Sequence, residues 1–130
     1  MIRYGSAVAK LVVYHNPSCG TARGVLELVR ERGVDAEVIE YLKHPLNARQ
    51  LRTIIDAIDV EPAELVRKDA RFKELGLDAG DYVTKAQVVD LLVAHPELMQ
   101  RPIAVLGSHT VLARPKEKIV ELLDLLEAST

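Results

Sequence analysis

The segment His15-Asn-Pro-Ser-Cys19-Gly-Thr-Ala-Arg23 contains the only cysteine of the chain. An apolar run, Leu11 to Tyr14, precedes it and an amphipathic pattern follows from about Thr21, which predicts a strand, a turn and a helix. A cysteine at this junction lies beside the unpaired N–H groups and the positive dipole end of the helix, and both stabilise a thiolate. The pattern therefore favours an activated nucleophile at Cys19 over a small buried hydrophobe.

Two residues near Cys19 could act on its thiolate, and we predict both as catalytic residues. Arg23 follows Cys19 by four residues, so a helix that begins near Gly20 places it one turn along on roughly the same side. A solvated helix charge would show the same spacing. His15 closes the apolar run, where it could hydrogen-bond the thiolate, orient the loop or serve only as a satisfied polar residue.

Three arginines elsewhere in the chain suggest that the ligand of this nucleophile is an oxyanion. Arg67 precedes a lysine, while Arg101 and Arg114 each precede a proline. Taken singly each fits a surface charge, but together they could form a cradle, because guanidinium groups are planar, bidentate donors for oxyanions. Gly20 and Thr21 complete the predicted substrate-binding set in the turn beside the cysteine, although Thr21 also fits an ordinary helix start.

The elements that must position these residues predict an α/β fold. A helix runs from about Thr21 to a stop at Gly33, and a second strand follows around Val38. Two strands separated by a helix favour a parallel βαβ unit with a right-handed crossover. The spacing of a capping box then predicts helices that begin at Asn47 and Thr84, with shorter helical segments between them.

The C-terminal part of the chain predicts a hairpin followed by a helix. Strands at Ile103 to Leu106 and at Val111 to Ala113 flank the turn sequence Gly107-Ser-His-Thr110. Pro102, directly before the first of these strands, could be cis and form a bend beside the site. Pro115 at a first helical position opens the closing helix.

The composition limits the class of protein. At 130 residues and 48% hydrophobic, the chain suits one domain, which we place at residues 11–127 after a loose N-terminal extension, residues 1–10. A formal charge of −2 gives no general surface for nucleic acid, and no apolar stretch approaches the roughly 18 residues of a membrane span. Since a secretory signal is also missing, we expect a cytoplasmic protein that binds neither nucleic acid nor membrane.

The cysteine count constrains any redox role. One cysteine cannot form an intramolecular disulfide, and with four scattered histidines it has no recognisable zinc-ligand spacing, so no metal site is expected. Redox chemistry at Cys19 therefore requires a second thiol from another molecule, such as glutathione or a partner protein.

Five motifs in order resemble those of the glutaredoxin-linked arsenate reductases. They are His15-x3-Cys19-x3-Arg23, Leu65-Val-Arg67-Lys68 followed by Leu75-Gly-Leu77, His95-Pro96, Arg101-Pro102-Ile103 and Ala113-Arg114-Pro115. The similarity runs from about Leu11 to Leu126. It implies a thioredoxin-like fold with a helical insertion, in the order β-α-β-(helices)-β-β-α.

The resemblance also implies roles for the predicted site residues. In the family, the cysteine matching Cys19 attacks arsenate to form a covalent adduct, glutathione and glutaredoxin supply the reducing thiols, and arsenite is released. Arginines matching Arg67, Arg101 and Arg114 bind the oxyanion, and Pro102 matches the cis-proline of the fold. Glutathione is then a co-substrate, and no tightly bound cofactor is implied.

One departure from the family pattern leaves alternatives open. Ala22 stands where well-studied members carry a serine whose hydroxyl can bond the thiolate. A related thiol protein with a different redox substrate is one alternative. Another is a polymerase-binding regulator of the same fold, although such regulators sense redox state through Cys-x-x-Cys and Ala22 occupies the second cysteine position. A phosphatase-like site, Cys-x5-Arg, is not supported because Val25 occupies the arginine position.

Overall fold

The computed structural model describes residues 10–128, so the predicted N-terminal extension, residues 1–10, lies outside the described residues except for Lys10. In chain order the elements are β1 (Leu11–His15), α1 (Gly20–Glu31), β2 (Ala36–Glu40), α2 (Ala48–Ala57), α3 (Ala70–Glu74), α4 (Lys85–Ala94), β3 (Ile103–Leu106), β4 (His109–Leu112) and α5 (Val120–Ala128). Short 3-10 helices occur at Pro62–Leu65, Ala79–Asp81, Pro96–Leu98 and Lys116–Ile119. The element order is the predicted one.

The described chain divides into two compact units. The first combines residues 10–40 with residues 101–128, and the second comprises residues 41–100. Each unit is described separately below. The single domain over residues 11–127 stays a prediction.

The first unit contains a four-stranded sheet with the strand order β2-β1-β3-β4. β1 pairs with β2 in parallel, with Val13 opposite Val38, which confirms the predicted βαβ unit. β1 pairs antiparallel with β3, and β3 pairs antiparallel with β4. Tyr14 is thus opposite Ile103, which is in turn opposite Leu112, so the C-terminal end of β1 lies level with the start of β3 and the end of β4.

The core of the first unit follows from the periodicity of its elements. Alternate residues of β1 are buried because strand side chains point to opposite faces, and α1 contributes residues four apart. The buried cluster consists of Leu11, Val13, Val25, Val29, Ala104, Leu106, Val111, Ala113, Ile119, Leu122 and Leu123. This packing fixes the end of β1 and the start of α1, between which the Cys19 turn runs.

The second unit is helical, and both predicted capping boxes are present in it. The N–H of Gln50 donates to Oδ1 of Asn47 at 2.8 Å, while the N–H of Asn47 donates to Oε1 of Gln50 at 2.9 Å. Thr84 and Gln87 form the same reciprocal pair at the start of α4. These pairs satisfy backbone donors that the first helical turn leaves free, which is why the helix starts could be predicted from local sequence.

Two boundaries near the C-terminus differ from the prediction. Pro115 is not helical: its ψ of 164° is extended, it precedes the 3-10 helix, and α5 begins only at Val120. The hairpin turn is also shorter than predicted, because β4 begins at His109 and the buried Thr110 pairs with Val105. Polar residues next to a glycine resemble a turn in sequence, yet here they continue the ladder. Among the described residues no helix is long and apolar enough to cross a bilayer.

Truncation of the sheet core should test the packing. Val13→Ala removes two fully buried methyl groups, and we expect a loss of about 1.5–3 kcal/mol in the free energy of unfolding. Val38→Ala, at the paired position of β2 but 43% exposed, should cost less than half as much. Urea unfolding of both variants measures the difference, and equal losses would contradict the packing described.

Candidate active site

The turn between β1 and α1 is held by Asn16. Its backbone oxygen accepts the N–H of Cys19 at 3.0 Å, and its side-chain Oδ1 accepts the N–H of Ser18 at 2.9 Å. Asn16 itself is buried. Sequence reasoning overlooked this residue, although an Asn-Pro pair is a turn-initiating signal. The two bonds place Cys19 at the N-cap of α1, as predicted.

Two arginines from the opposite end of the chain surround the Cys19 sulfur. Nη1 of Arg114 lies 3.7 Å from Sγ and also donates to the backbone oxygen of Arg101 at 3.0 Å. The guanidinium group of Arg101 also acts on the sulfur, because its charge lowers the pKa of the Cys19 thiol. The structure therefore brings together three of the predicted residues, although both arginines follow Cys19 by more than eighty positions in the chain.

Arg101 retains unused hydrogen-bonding capacity at this position. Its Nε and Nη1 atoms are buried and have no partner among the described residues. Since buried polar atoms are nearly always hydrogen-bonded, donors left free next to a nucleophile indicate a place for an external acceptor. A guanidinium group presents such donors in the planar arrangement that oxyanions bind.

The environment of Cys19 favours its thiolate. Burial raises the pKa of the thiol, but the backbone N–H of Ala22 and the guanidinium groups of Arg101 and Arg114 lower it more, and the resulting pKa is about 7. About half of the molecules then carry a thiolate at pH 7. Ala22 thus supplies a backbone donor at the position where the family resemblance leads one to expect a serine hydroxyl.

Gly20, Thr21 and Arg23 lie on the first turn of α1. Gly20 and Arg23 are exposed and Thr21 is half-buried. A first helical turn leaves its N–H groups without acceptors in the helix, so those of Gly20 and Thr21 are free to bind an anion. The Arg23 side chain turns back toward the N-terminus, with Nη2 3.9 Å from the point that a Cβ on Gly20 would occupy.

His15 is buried at the end of β1, and Nδ1 has no partner within residues 10–128. Burial lowers the pKa of its imidazole, and the charge of Glu40 only partly opposes this. A neutral ring results at pH 7, so His15 acts here by polarity and shape and adds no positive charge beside the sulfur. The structure gives it no hydrogen bond to Cys19, which receives its side-chain donors from the arginines.

Pro102 is cis and buried, as considered from the sequence. Its carbonyl oxygen accepts the N–H of Ala113 at 2.9 Å, so the segments that carry Arg101 and Arg114 are joined next to the site. Arg67 belongs to the second unit, where it forms an ion pair with Asp69 at 3.2 Å. Within the described chain no group of three or more His, Cys, Asp or Glu side chains could hold a metal ion.

Removal of a guanidinium group should raise the pKa of Cys19. In Arg101→Gln or Arg114→Gln we expect the pKa to move from about 7 toward about 8.5, which lowers the thiolate fraction at pH 7 several-fold. The pKa is measured from the far-ultraviolet absorbance of the thiolate as a function of pH. Arg30→Gln, at the other end of α1, removes the same charge and should leave the pKa unchanged. An unchanged value in both site variants would contradict this electrostatic account.

Comparisons with known proteins agree with this geometry. The chain matches the ArsC family model over residues 14–122. It is 38% identical over 117 residues to an arsenate reductase of Escherichia coli, covering 89% of this chain and 82% of that protein. It is 39% identical over 115 residues to the arsenate reductase ArsI2 of a Synechocystis species, covering 88% and 81%. An arsenate reductase structure from Vibrio cholerae has a TM-score of 0.78 at 29% identity, covering 88% and 98%. Because the family model spans most of its length, this protein belongs to the ArsC family and has the thioredoxin-like fold, with a helical insertion, that the motifs implied.

Proposed function

We propose that this protein reduces arsenate to arsenite through a covalent intermediate on Cys19. One observation carries the proposal: a cysteine with a pKa of about 7 lies against two guanidinium groups, one of which has free buried donors. A thiolate beside unused anion donors suits attack on a negatively charged electrophile, because the arginines reduce the repulsion between the two anions. The relatives named arsenate reductases support arsenate as that electrophile.

In the first step the Cys19 thiolate attacks arsenic. A sulfur–arsenic bond forms, one arsenic–oxygen bond breaks, and the departing oxygen leaves as water after taking up protons, so arsenic stays in the +5 state. Arg101 and Arg114 bind the arsenate oxygens and hold arsenic in line with the sulfur. The free N–H groups of Gly20 and Thr21 add donors on the helix side of the same oxyanion.

In the second step an external thiol is required, because the chain has no second cysteine. The thiolate of glutathione attacks the Cys19 sulfur, a disulfide forms, and the electron pair of the sulfur–arsenic bond stays on arsenic, which leaves as arsenite in the +3 state. A glutaredoxin thiol then attacks the glutathione sulfur and releases the Cys19 thiolate. A cytoplasmic location fits this cycle, since it depends on a reduced thiol pool.

The remaining predicted residues take supporting roles in this proposal. For Arg67, which belongs to the second unit, a role as oxyanion ligand stays a prediction from the family motif that it matches. Pro102 positions Arg101 through the hydrogen bond that its carbonyl oxygen accepts from the N–H of Ala113. His15 keeps the end of β1 polar without adding charge.

The proposed reaction can be measured as arsenate-dependent NADPH oxidation in the presence of glutathione, glutathione reductase and glutaredoxin. Cys19→Ser should lower the rate to background, because a serine hydroxyl neither ionises near pH 7 nor forms the disulfide. Arg101→Ala should lower kcat/KM for arsenate by roughly 100-fold, in the range found when one preorganised oxyanion donor is removed.

Arg30→Gln is the matched control for loss of one positive charge and should retain wild-type activity. Phosphate should compete with arsenate without supporting NADPH oxidation, because phosphorus does not accept the electron pair. Full arsenate reduction by Cys19→Ser would refute the covalent mechanism. Absence of activity in the wild type with several glutaredoxins would refute the assignment of substrate.

A further inference from the structure

The turn between β1 and α1 has two backbone donors before the helix begins, and both of them end on Asn16. Pro17 has no N–H. The N–H of Ser18 donates to Oδ1 of Asn16 at 2.9 Å, and the N–H of Cys19 donates to the backbone oxygen of Asn16 at 3.0 Å. Pro17 and Ser18 are both exposed, whereas Asn16 is buried. One buried residue is therefore the acceptor for the whole turn.

The backbone of Cys19 is held on both sides. Its N–H is bound to Asn16, and its carbonyl oxygen accepts the N–H of Arg23 at 3.0 Å, which is a bond of the first turn of α1. In this position the sulfur lies 3.7 Å from Nη1 of Arg114, and the N–H of Ala22 stabilises the thiolate. A change in the course of the turn would lengthen these contacts, and electrostatic stabilisation falls with distance.

The side chain of Asn16 provides its acceptor without a charge. Only 8% of the residue is exposed. Aspartate, serine and threonine close the same kind of turn, because their side-chain oxygens also accept a backbone N–H two residues on. A carboxylate would add a negative charge three residues from the thiolate and raise its pKa, and a hydroxyl is the weaker acceptor. Asparagine combines a good acceptor with neutrality at this position.

We propose that Asn16 is the positioning residue of the nucleophile: the bond from Ser18 to its side chain sets the course of the turn and thereby holds the Cys19 sulfur against the guanidinium groups. Asn16 acts through the backbone of the two residues that donate to it. The inference concerns the thiolate itself and holds for any electrophile. Only its consequence for arsenate turnover rests on the proposed function.

The reactivity of the thiol gives a direct readout, because Cys19 is the only cysteine of the chain. Alkylation by iodoacetamide, a small neutral reagent, is followed on the full chain by mass spectrometry, so that each thiol adduct reports Cys19. Since the thiolate is the reactive form, the midpoint of the rate against pH gives the pKa of the thiol. The melting temperature of each variant measures its stability separately.

Asn16→Ala removes the acceptor for Ser18 and leaves the net charge unchanged. We expect the midpoint to rise from about 7 by about one pH unit, which lowers the thiolate fraction at pH 7 about fivefold. At about pH 10 the rate should equal or exceed that of the wild type, because a thiolate of higher pKa is the better nucleophile. Asn16→Ser keeps a weaker acceptor and should give an intermediate midpoint.

Asn47→Ala is the matched control. Oδ1 of Asn47 also accepts a backbone N–H, that of Gln50 at 2.8 Å, and this bond caps α2 in the second unit. Its loss should lower the melting temperature, because removal of an N-cap destabilises a helix, but it should leave the midpoint unchanged. The comparison separates the loss of an asparagine cap from displacement of the sulfur.

Three outcomes would overturn the proposal. They are an unchanged midpoint in Asn16→Ala, an equal rise in Asn47→Ala, and a rate lowered by the same factor at every pH, which reports loss of folded protein and not a displaced thiolate. If Asn16→Ala does not fold, Asn16→Ser decides alone, and a midpoint equal to that of the wild type then contradicts the proposal.

Arsenate turnover in the coupled assay adds the part that rests on the proposed function. Asn16→Ala should lower kcat/KM for arsenate at pH 7 by at least about fivefold, since that much thiolate is lost. A raised midpoint in Asn16→Ala, together with no arsenate turnover in the wild type, would support the role of Asn16 and count against the proposed function alone.

Discussion

The contact between the Cys19 sulfur and the guanidinium groups of Arg101 and Arg114 is the interaction on which the site depends. Burial by itself would keep the thiol protonated, because charged groups lose hydration inside a protein. Two arginines and the backbone N–H of Ala22 reverse this balance and bring the pKa to about 7. Arg101 also carries free buried donors of the kind that an oxyanion needs, so in the proposed function one of the two arginines serves both the thiolate and its target.

The sheet brings these groups together. Tyr14 of β1, Ile103 of β3 and Leu112 of β4 are level in the ladder, so the turn after β1, the segment before β3 and the segment after β4 meet at one edge. The carbonyl of Pro102 then joins the two arginine segments through the N–H of Ala113. Close packing of the strands thereby determines the distance between sulfur and guanidinium.

Ala22 keeps a backbone donor beside the thiolate, although it lacks the hydroxyl that a serine would add. It is fully buried in α1, and its N–H favours the thiolate as a serine hydroxyl would. Every residue except proline provides this N–H at the third position of a helix, so the contribution depends on the helix starting at Gly20 and not on the residue type. The departure from the family pattern therefore leaves the thiolate with a donor.

Local patterns in the sequence determined the elements and the position of Cys19 at the start of a helix. The capping boxes at Asn47 and Thr84 and the strand-to-helix junction at Cys19 each depend on residues within a few positions, and all three were predicted correctly. The sequence identified Arg101 and Arg114 as candidate ligands but could not give their distance to the sulfur. That distance depends on strand pairing between residues more than eighty positions apart. Two further features could not be predicted from the sequence. They are the burial of His15, which makes its ring neutral, and the approach of Lys116 to Gly24. Only the tertiary structure decided these features, since desolvation and contact distance are properties of the packed chain and not of neighbouring residues.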